Sequence, residues 1–247
     1  MRSVHEAREM GSSLGDMLYE RKIERAYQRL YPVLAERTSF RLLDIIGSIV
    51  GQCPQQEVNL FIDRIAADRT MGGWVVIASA LTERLPVDLP DTLTRTHDLI
   101  ISADTWYATD IFGERVPGPA LLSFFDETIS LIEEWRADEN PWVRRILGVA
   151  VHFWAKRTRG TKDSLPQAQR LLDLLDALYE EKSIDALKGI GWALKTLGRY
   201  YPDLLTDWLE TQIMQRKRKA RALMNRKAIT YLPQAHKERI CEARHQA

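Results

Sequence analysis

Apolar residues recur at three- and four-residue intervals along most of the chain, and this helical period restricts the possible folds more than any other feature. Leu121, Leu122, Phe125, Ile129 and Ile132 follow this spacing. Alternating strand patterns and Asn-Gly hairpin turns are absent from the sequence. The pattern therefore predicts an all-α protein.

Prolines and glycines punctuate the periodic blocks. Many blocks span about 12–18 residues, the length expected of paired antiparallel helices. The predicted breaks are at Pro54, Gly72-Gly73, Pro86, Pro90, Pro117, Pro119, Pro141, Pro166, Pro202 and Pro233.

Three segments, which start at Met71, Pro141 and Ile184, share one form. In each of them a turn precedes a helix that carries small residues among bulky apolar ones. Small residues let neighbouring helices approach closely, and stacked repeats of this kind build a solenoid with a concave face. The sequence favours this HEAT-like helical repeat over a closed four-helix bundle. We expect a single domain over residues 1–247, less regular through residue 54 and basic over residues 216–247.

Composition and charge limit which classes of function the sequence supports. The formal net charge is only +1, so a nucleic-acid role requires an uneven distribution of charge. Cys53 and Cys241 have no partner at metal-ligand spacing, and phosphate-binding glycine loops and zinc-hydrolase motifs are absent. We therefore expect neither a metal nor an organic cofactor. Without a secretory signal or an apolar run of membrane-spanning length, the chain is predicted to be cytoplasmic and not membrane-associated.

Trp106 and Asp110 are four residues apart, which places them on the same face of a helix. An aromatic ring beside a carboxylate attracts a ring that carries positive charge. A carboxylate also stabilises the oxocarbenium-like transition state of glycosidic bond cleavage. In the alternative interpretation, Trp106 belongs to the core and Asp110 hydrogen-bonds the turn before Gly113.

Arg144 and Arg145 follow Asn140-Pro141-Trp142, a sequence typical of a helix start. One of two adjacent arginines can face inward, and the planar guanidinium suits a phosphate because it can donate two hydrogen bonds. The alternative is a salt bridge to Asp138, Glu139 or an acidic residue of the next repeat.

Trp192 lies between small residues in Gly189-Ile-Gly-Trp-Ala, where each glycine weakens a helix by about 1 kcal/mol relative to alanine. Close helix contact is the expected compensation. A tryptophan in such a segment is usually core, and the same interpretation applies at least in part to Trp74, Trp135, Trp154 and Trp208.

The C-terminal segment is rich in basic residues. They either form a solvated helix face or track phosphates, and composition does not decide between these two interpretations. The basic residues considered as DNA contacts are Arg216, Lys217, Arg218, Lys219 and Arg226.

Taken together and in order, Trp106-x-x-x-Asp110, Trp142-Val-Arg144-Arg145 and Ile190-Gly-Trp192-Ala-Leu194 resemble the AlkD-like DNA alkylation repair glycosylases. Members of this family are all-α proteins of HEAT-like repeats. The resemblance covers roughly residues 70 to 215, and the three elements together are more specific than any one of them.

The resemblance implies a monomer that binds double-stranded DNA and releases N3- or N7-alkylated purines. In this interpretation Trp106 and Trp192 contact the lesion nucleotide, and Asp110 stabilises the developing sugar cation. Arg145 matches the phosphate-contacting position best, with Arg144 as the second candidate. The alternatives are a noncatalytic HEAT-repeat protein that binds bent, branched or damaged DNA, and a protein-interaction solenoid that does not touch nucleic acid.

Overall fold

A computed structural model describes residues 1–246, and every regular element in that range is helical. The chain divides into two compact units. The first unit, Met1–Val116, contains α1 (Val4–Tyr19), α2 (Ile23–Ala35), α3 (Phe40–Gly51), α4 (Gln55–Ala66), α5 (Met71–Arg84), α6 (Leu89–Ala103) and α7 (Trp106–Arg115). The all-α prediction is confirmed.

The second unit begins at Pro117 and is helical throughout its regular elements. Its helices are α8 (Pro117–Ser123), α9 (Phe125–Ile132), α10 (Pro141–Thr158), α11 (Leu165–Asp176), α12 (Ile184–Tyr200), α13 (Pro202–Glu210), α14 (Ala222–Ala228) and α15 (Gln234–Gln246). Short 3-10 helices cover Glu133–Ala137 and Lys162–Ser164, and a π-helical turn covers Thr211–Gln215. The prediction that the chain forms one domain stays a prediction.

Within each unit, alternate helices pack side by side. In the first unit α1 contacts α3, α3 contacts α5 and α5 contacts α7, while α2 and α4 pair beside them. In the second unit α8, α10, α12 and α14 form the corresponding series, and α11, α13 and α15 form the other layer. This alternation is a helical-repeat fold, in which each helical hairpin buries its apolar side against its neighbours.

Polar caps start several of these helices, and most of the predicted breaks coincide with helix boundaries. The side chain of Asn140 accepts a hydrogen bond from the Trp142 amide at the start of α10, and Pro141 takes the first helical position. One prediction needs correction, because Gly72-Gly73 lies in the first turn of α5, after the Thr70 cap. Pro32, which was not among the predicted breaks, lies inside α2.

Glycines let α10 and α12 approach each other closely, as the small-residue pattern predicts. A β-carbon built on Gly148 of α10 would lie 2.3 Å from the carbonyl carbon of Gly189 of α12, far inside van der Waals contact. A β-carbon on Gly189 would lie 2.6 Å from the Arg145 carbonyl oxygen. Backbone contact between the two helices therefore offsets the low helix propensity of these glycines.

None of the helices in the described part of the chain combines the length and apolar character that crossing a bilayer requires.

Candidate functional site

Trp106 and Asp110 project from the same side of α7. Asp104 ends α6 in the left-handed conformation (φ 49°), Thr105 is the N-cap of α7, and Trp106 is its first residue. The Trp106 side of α7 faces solvent, because this residue is 57% exposed, and its ring meets Tyr107 edge-on at 5.9 Å between centroids. Asp110 follows one turn later and is half-buried. The shared face predicted from the four-residue spacing is confirmed, and Trp106 is not a core residue.

The opposite side of α7 is fixed to the rest of the first unit. Phe112 is fully buried and its ring lies 6.0 Å from that of Trp74 on α5. Arg115 binds both carboxylate oxygens of Asp44 on α3, at 2.7 and 3.2 Å, and its carbonyl accepts a hydrogen bond from the Thr82 hydroxyl at 2.5 Å. These contacts hold the helix by residues other than Trp106 and Asp110.

In the second unit, Arg144 forms a salt bridge with a carboxylate of the connection that leads into α12. Its guanidinium donates to both oxygens of Glu181, at 2.7 and 3.1 Å, and to the carbonyls of Asp138 and Glu139. Glu181 is buried, and burial raises its pKa. Hydrogen bonds from Arg144 and the Ser183 amide outweigh burial, so the pKa of Glu181 lies below its ordinary value. The salt-bridge interpretation of Arg144 therefore describes its contacts.

Arg145 is buried between α10 and the first turn of α12. It is 6% exposed, and its Nη1 donates to the Asp185 carbonyl at 2.8 Å. The adjacent arginines thus connect α10 to the start of α12 through two different partners. Of the two, Arg145 is the inward-facing one.

Trp192 is half-buried on α12 and lies against an imidazole of α10. The rings of Trp192 and His152 are stacked, with 3.9 Å between centroids and an angle of 24° between their planes. The structure therefore places Trp192 in an aromatic stack at the edge of the core.

Basic residues lie on both sides of Trp192 along one side of α12. We call this side, made of Lys188, Trp192, Lys195 and Arg199, the α12 face; its members are exposed or half-buried, whereas Leu187, Ile190 and Leu194 on the other side are buried. The spacing of four, three and four residues between the members is that of one helical stripe.

Helix α14 and the residues after it extend this basic surface. The aliphatic part of Lys227 packs against Gly191 of α12, where a β-carbon would lie 2.5 Å from Lys227 Cδ. Lys195 Nζ lies 4.4 Å from the centre of the exposed Tyr231 ring. Burial, followed by the charges of Lys195 and Arg145, lowers the pKa of Lys227. Positive charge is thus concentrated beside Trp192, although the whole chain carries a net charge of only +1.

The run of basic residues from Arg216 to Lys219 is paired with acidic groups in the same unit. Arg216 and Arg218 each bind Asp176, at 2.6 and 3.0 Å. Arg218 also binds Glu180, at 3.1 Å. The backbone amide of Lys219 and the side chain of Arg218 lower the pKa of Glu180. Lys217 and Arg226 are exposed.

Sequence reasoning missed His152, Lys188, Lys195 and Lys227. The four-three-four spacing around Trp192 could have predicted the basic stripe on α12. The stack with His152 could not be predicted in this way, because it depends on the approach of α10 to α12. The four tryptophans expected to be at least partly core are all buried: Trp74, Trp135, Trp154 and Trp208. Among residues 1–246, His, Cys, Asp and Glu side chains form no group of three or more that could hold a metal ion.

Comparison with known proteins identifies the family to which the chain belongs. No curated protein matched the sequence significantly. The family model for DNA alkylation repair enzymes matches residues 74–232, from α5 to just beyond α14. This match includes Trp106, Asp110, both arginines and Trp192, and it covers more than half of the chain. The chain therefore belongs to the DNA alkylation repair enzyme family.

Proposed function

We propose that this protein is a DNA glycosylase that hydrolyses the N-glycosidic bond of N3- and N7-alkylated purines in duplex DNA. The observation that carries the proposal is the pair on α7. In a member of a DNA alkylation repair family, an exposed tryptophan and a carboxylate one turn apart face the same side of a helix. Such a pair suits a cationic ring and the sugar to which it is attached.

The chemistry requires little from the protein, because alkylation at N3 or N7 leaves the base positively charged. When the bond between C1′ and the base nitrogen breaks, its electron pair goes to the base and neutralises that charge. Asp110 stabilises the cation that develops on the sugar and orients the attacking water. The water oxygen bonds to C1′ and its proton passes to solvent. A general acid for the leaving base is unnecessary.

Trp106 and Trp192 contact the lesion nucleotide in this proposal. DNA phosphates are bound by Arg145 and by the cations of the α12 face, with Arg226 as a further contact. The concentration of positive charge around Trp192 supports this role, since phosphate contacts supply most of the affinity of proteins for DNA. Arg144 and the run from Arg216 to Lys219 are weaker candidates, because several of their guanidinium groups bind carboxylates. We propose that the protein acts as a monomer.

The decisive experiment is base release from randomly methylated duplex DNA under single-turnover conditions. Wild type should release N3-methyladenine or N7-methylguanine. Asp110→Asn should lower the rate by on the order of 10²–10³, the loss typical when one electrostatic stabiliser of a transition state is removed. Glu114→Gln is the matched control, since Glu114 is a half-buried carboxylate one turn further along α7, and its rate should equal that of wild type.

Two results would contradict the proposal. Equal activity of wild type and Asp110→Asn would remove Asp110 from the mechanism. Absence of base release by wild type, combined with tight binding to bent or branched DNA, would support the noncatalytic DNA-binding alternative.

A further inference from the structure

Tyr231 lies over two cations of the α12 face, and the proposed function gives it no role. The centre of its ring is 4.4 Å from Lys195 Nζ and 5.4 Å from the guanidinium carbon of Arg199. Both distances are within the range of a cation–π interaction. Lys195 and Arg199 are four residues apart on one helix, so a single ring that contacts both holds the two side chains next to each other. The ring is 45% exposed, which leaves the cations beside it accessible to a ligand.

Two glycines of α12 determine where Tyr231 lies. Gly191, on which α14 packs, and Gly198 are seven residues or about two turns apart, so they share one side of the helix. A β-carbon on Gly198 would lie 3.3 Å from the Ala228 carbonyl oxygen and 3.3 Å from Leu232 Cδ2, closer than most β-carbons approach other atoms. Ala228 and Leu232 are both buried. Since Tyr231 directly precedes Leu232, its backbone is fixed against α12 while its ring stays at the surface.

The partner of Lys195 and Arg199 is this ring and not a carboxylate. Within residues 1–246 neither of them forms a salt bridge, whereas Lys188 Nζ, on the same face, lies 3.9 Å from a carboxylate oxygen of Asp185. A carboxylate opposes the charge of the cation that it binds, but an aromatic ring attracts a cation and leaves its net charge in place. Two adjacent cations that are held in this way suit the binding of an anionic ligand.

We propose that Tyr231 is a positioning residue of the DNA-binding surface, which orders Lys195 and Arg199 before DNA binds so that both contact backbone phosphates. This inference rests on the part of the proposed function that assigns phosphates to the α12 face, and it requires no base release. A long side chain loses rotamer freedom when it binds a phosphate, and this loss lowers affinity. The ring of Tyr231 restricts both side chains in the free protein, so less freedom is lost on binding. Tyr231 therefore acts through the two cations.

The contact between the ring and Lys195 is tested without any DNA. In a proton–carbon NMR spectrum, the ring current of Tyr231 should shift the Cε protons of Lys195 upfield from those of the other lysines. Lys195→Arg assigns the resonance. Tyr231→Leu should abolish the shift, and Tyr231→Phe should retain it. A Lys195 resonance at the same position in wild type and in Tyr231→Leu would overturn the proposal, because the ring would not hold this side chain in the free protein.

The functional test measures affinity for an unmethylated fluorescent duplex at fixed salt, because phosphate contacts do not require a lesion. Tyr231→Leu should raise the dissociation constant about fivefold, the effect of ordering two long side chains only when DNA binds. Tyr231→Phe keeps the ring and should stay within about twofold of wild type. The dependence of log K on log salt should keep its steepness in Tyr231→Leu, because both cations still reach phosphates in the complex.

A second background separates positioning from a structural role. Lys195→Gln/Arg199→Gln removes both cations, and the addition of Tyr231→Leu to this variant should not change its affinity further. If Tyr231→Leu caused the same loss in this background as in wild type, Tyr231 would act independently of the cations and the proposal would be wrong. A loss in Tyr231→Phe equal to that in Tyr231→Leu would assign the effect to the hydroxyl group and would also overturn the proposal.

Failure of the proposed function gives a different result. If wild type binds duplex DNA but releases no base, the glycosylase activity is wrong, and a loss in Tyr231→Leu that requires both cations still supports the role of Tyr231. If Lys195→Gln/Arg199→Gln binds duplex DNA as tightly as wild type, the α12 face does not bind phosphates. The proposal for Tyr231 is then wrong, whatever the rate of base release.

Discussion

Helix α7 of the first unit and helices α10 and α12 of the second present their candidate residues in different ways. Trp106 is more than half exposed, and α7 is held by other residues, Phe112 and Arg115. In contrast, Arg144 and Arg145 are bonded to the connection into α12 and to its first turn, and Trp192 is stacked on His152.

The comparison indicates that function and stability are separable at Trp106 of α7 and coupled on α10 and α12. A side chain that projects from a helix fixed elsewhere can be changed with little effect on folding. A buried charge or ring that joins two helices cannot be changed in this way, because its partner is left without compensation. Substitution of Trp106 should therefore change DNA binding and leave the free energy of unfolding nearly unchanged, whereas substitution of the buried residues of α10 and α12 should change the free energy of unfolding as well.

Arg144→Ala should have the largest effect on stability. The variant leaves the buried Glu181 carboxylate without its cation, and breaking a buried ion pair in this way costs about 3–5 kcal/mol. Urea unfolding monitored by circular dichroism measures the change. The double variant Arg144→Ala/Glu181→Ala should be less destabilised than Arg144→Ala alone, since it buries no unpaired charge. A loss below 1 kcal/mol for Arg144→Ala would place this pair among ordinary surface salt bridges.

The pH dependence of stability should reveal His152. Burial lowers its pKa to about 4 in the folded protein, against 6.5 for an ordinary histidine, so the unfolded chain binds the extra proton between these values. The free energy of unfolding should therefore fall as the pH drops from 6.5 to 4, by up to about 3 kcal/mol from this group. His152→Phe should remove that part of the slope. Identical slopes in wild type and variant would mean that His152 titrates normally.

Trp106→Ala should weaken DNA binding and leave stability nearly unchanged, in contrast to the large loss of stability expected for Arg144→Ala. Unfolding free energy should change by less than about 0.5 kcal/mol, because the side chain is exposed and the helix is held elsewhere. Affinity for methylated duplex should fall roughly tenfold through loss of the aromatic face, and Trp106→Phe should retain part of it. Filter binding at fixed salt measures the affinity. A destabilisation above 1 kcal/mol would show that Trp106 supports the fold, and the comparison between the two regions would fail.

The sequence predicted the helices and the Trp106–Asp110 pair because both depend on local spacing. The period of the apolar residues determines which faces are buried, and two residues four apart always share a side of a helix. The glycines of Gly189-Ile-Gly-Trp also indicated a close approach, which the contact of Gly148 with Gly189 confirms. These features require no knowledge of distant parts of the chain.

The partners of the charged residues could not be predicted in the same way. Arg144 and Glu181 are 37 residues apart, and His152 and its hydrogen-bond partner Thr196 are 44 apart. Local sequence does not determine which of several nearby carboxylates an arginine will meet. The basic run shows the same limit, because its pairing with Asp176 and Glu180 arises only when α11 and the residues after it lie beside the segment that follows α13.

The smallest expected effect comes from that basic run. Arg216→Gln removes a cation whose charge is already opposed by Asp176, so DNA affinity should change by less than about twofold and the dependence of log K on log salt should stay the same. Lys195→Gln is the matched comparison, since Lys195 lies on the α12 face one turn from Trp192. This variant should reduce the steepness of the salt dependence by about 0.9, the value of one phosphate contact on duplex DNA. If Arg216→Gln reduced the steepness of the salt dependence more than Lys195→Gln, DNA would bind along the C-terminal segment and not along the α12 face. A DNA phosphate would then replace Asp176 as the partner of Arg216.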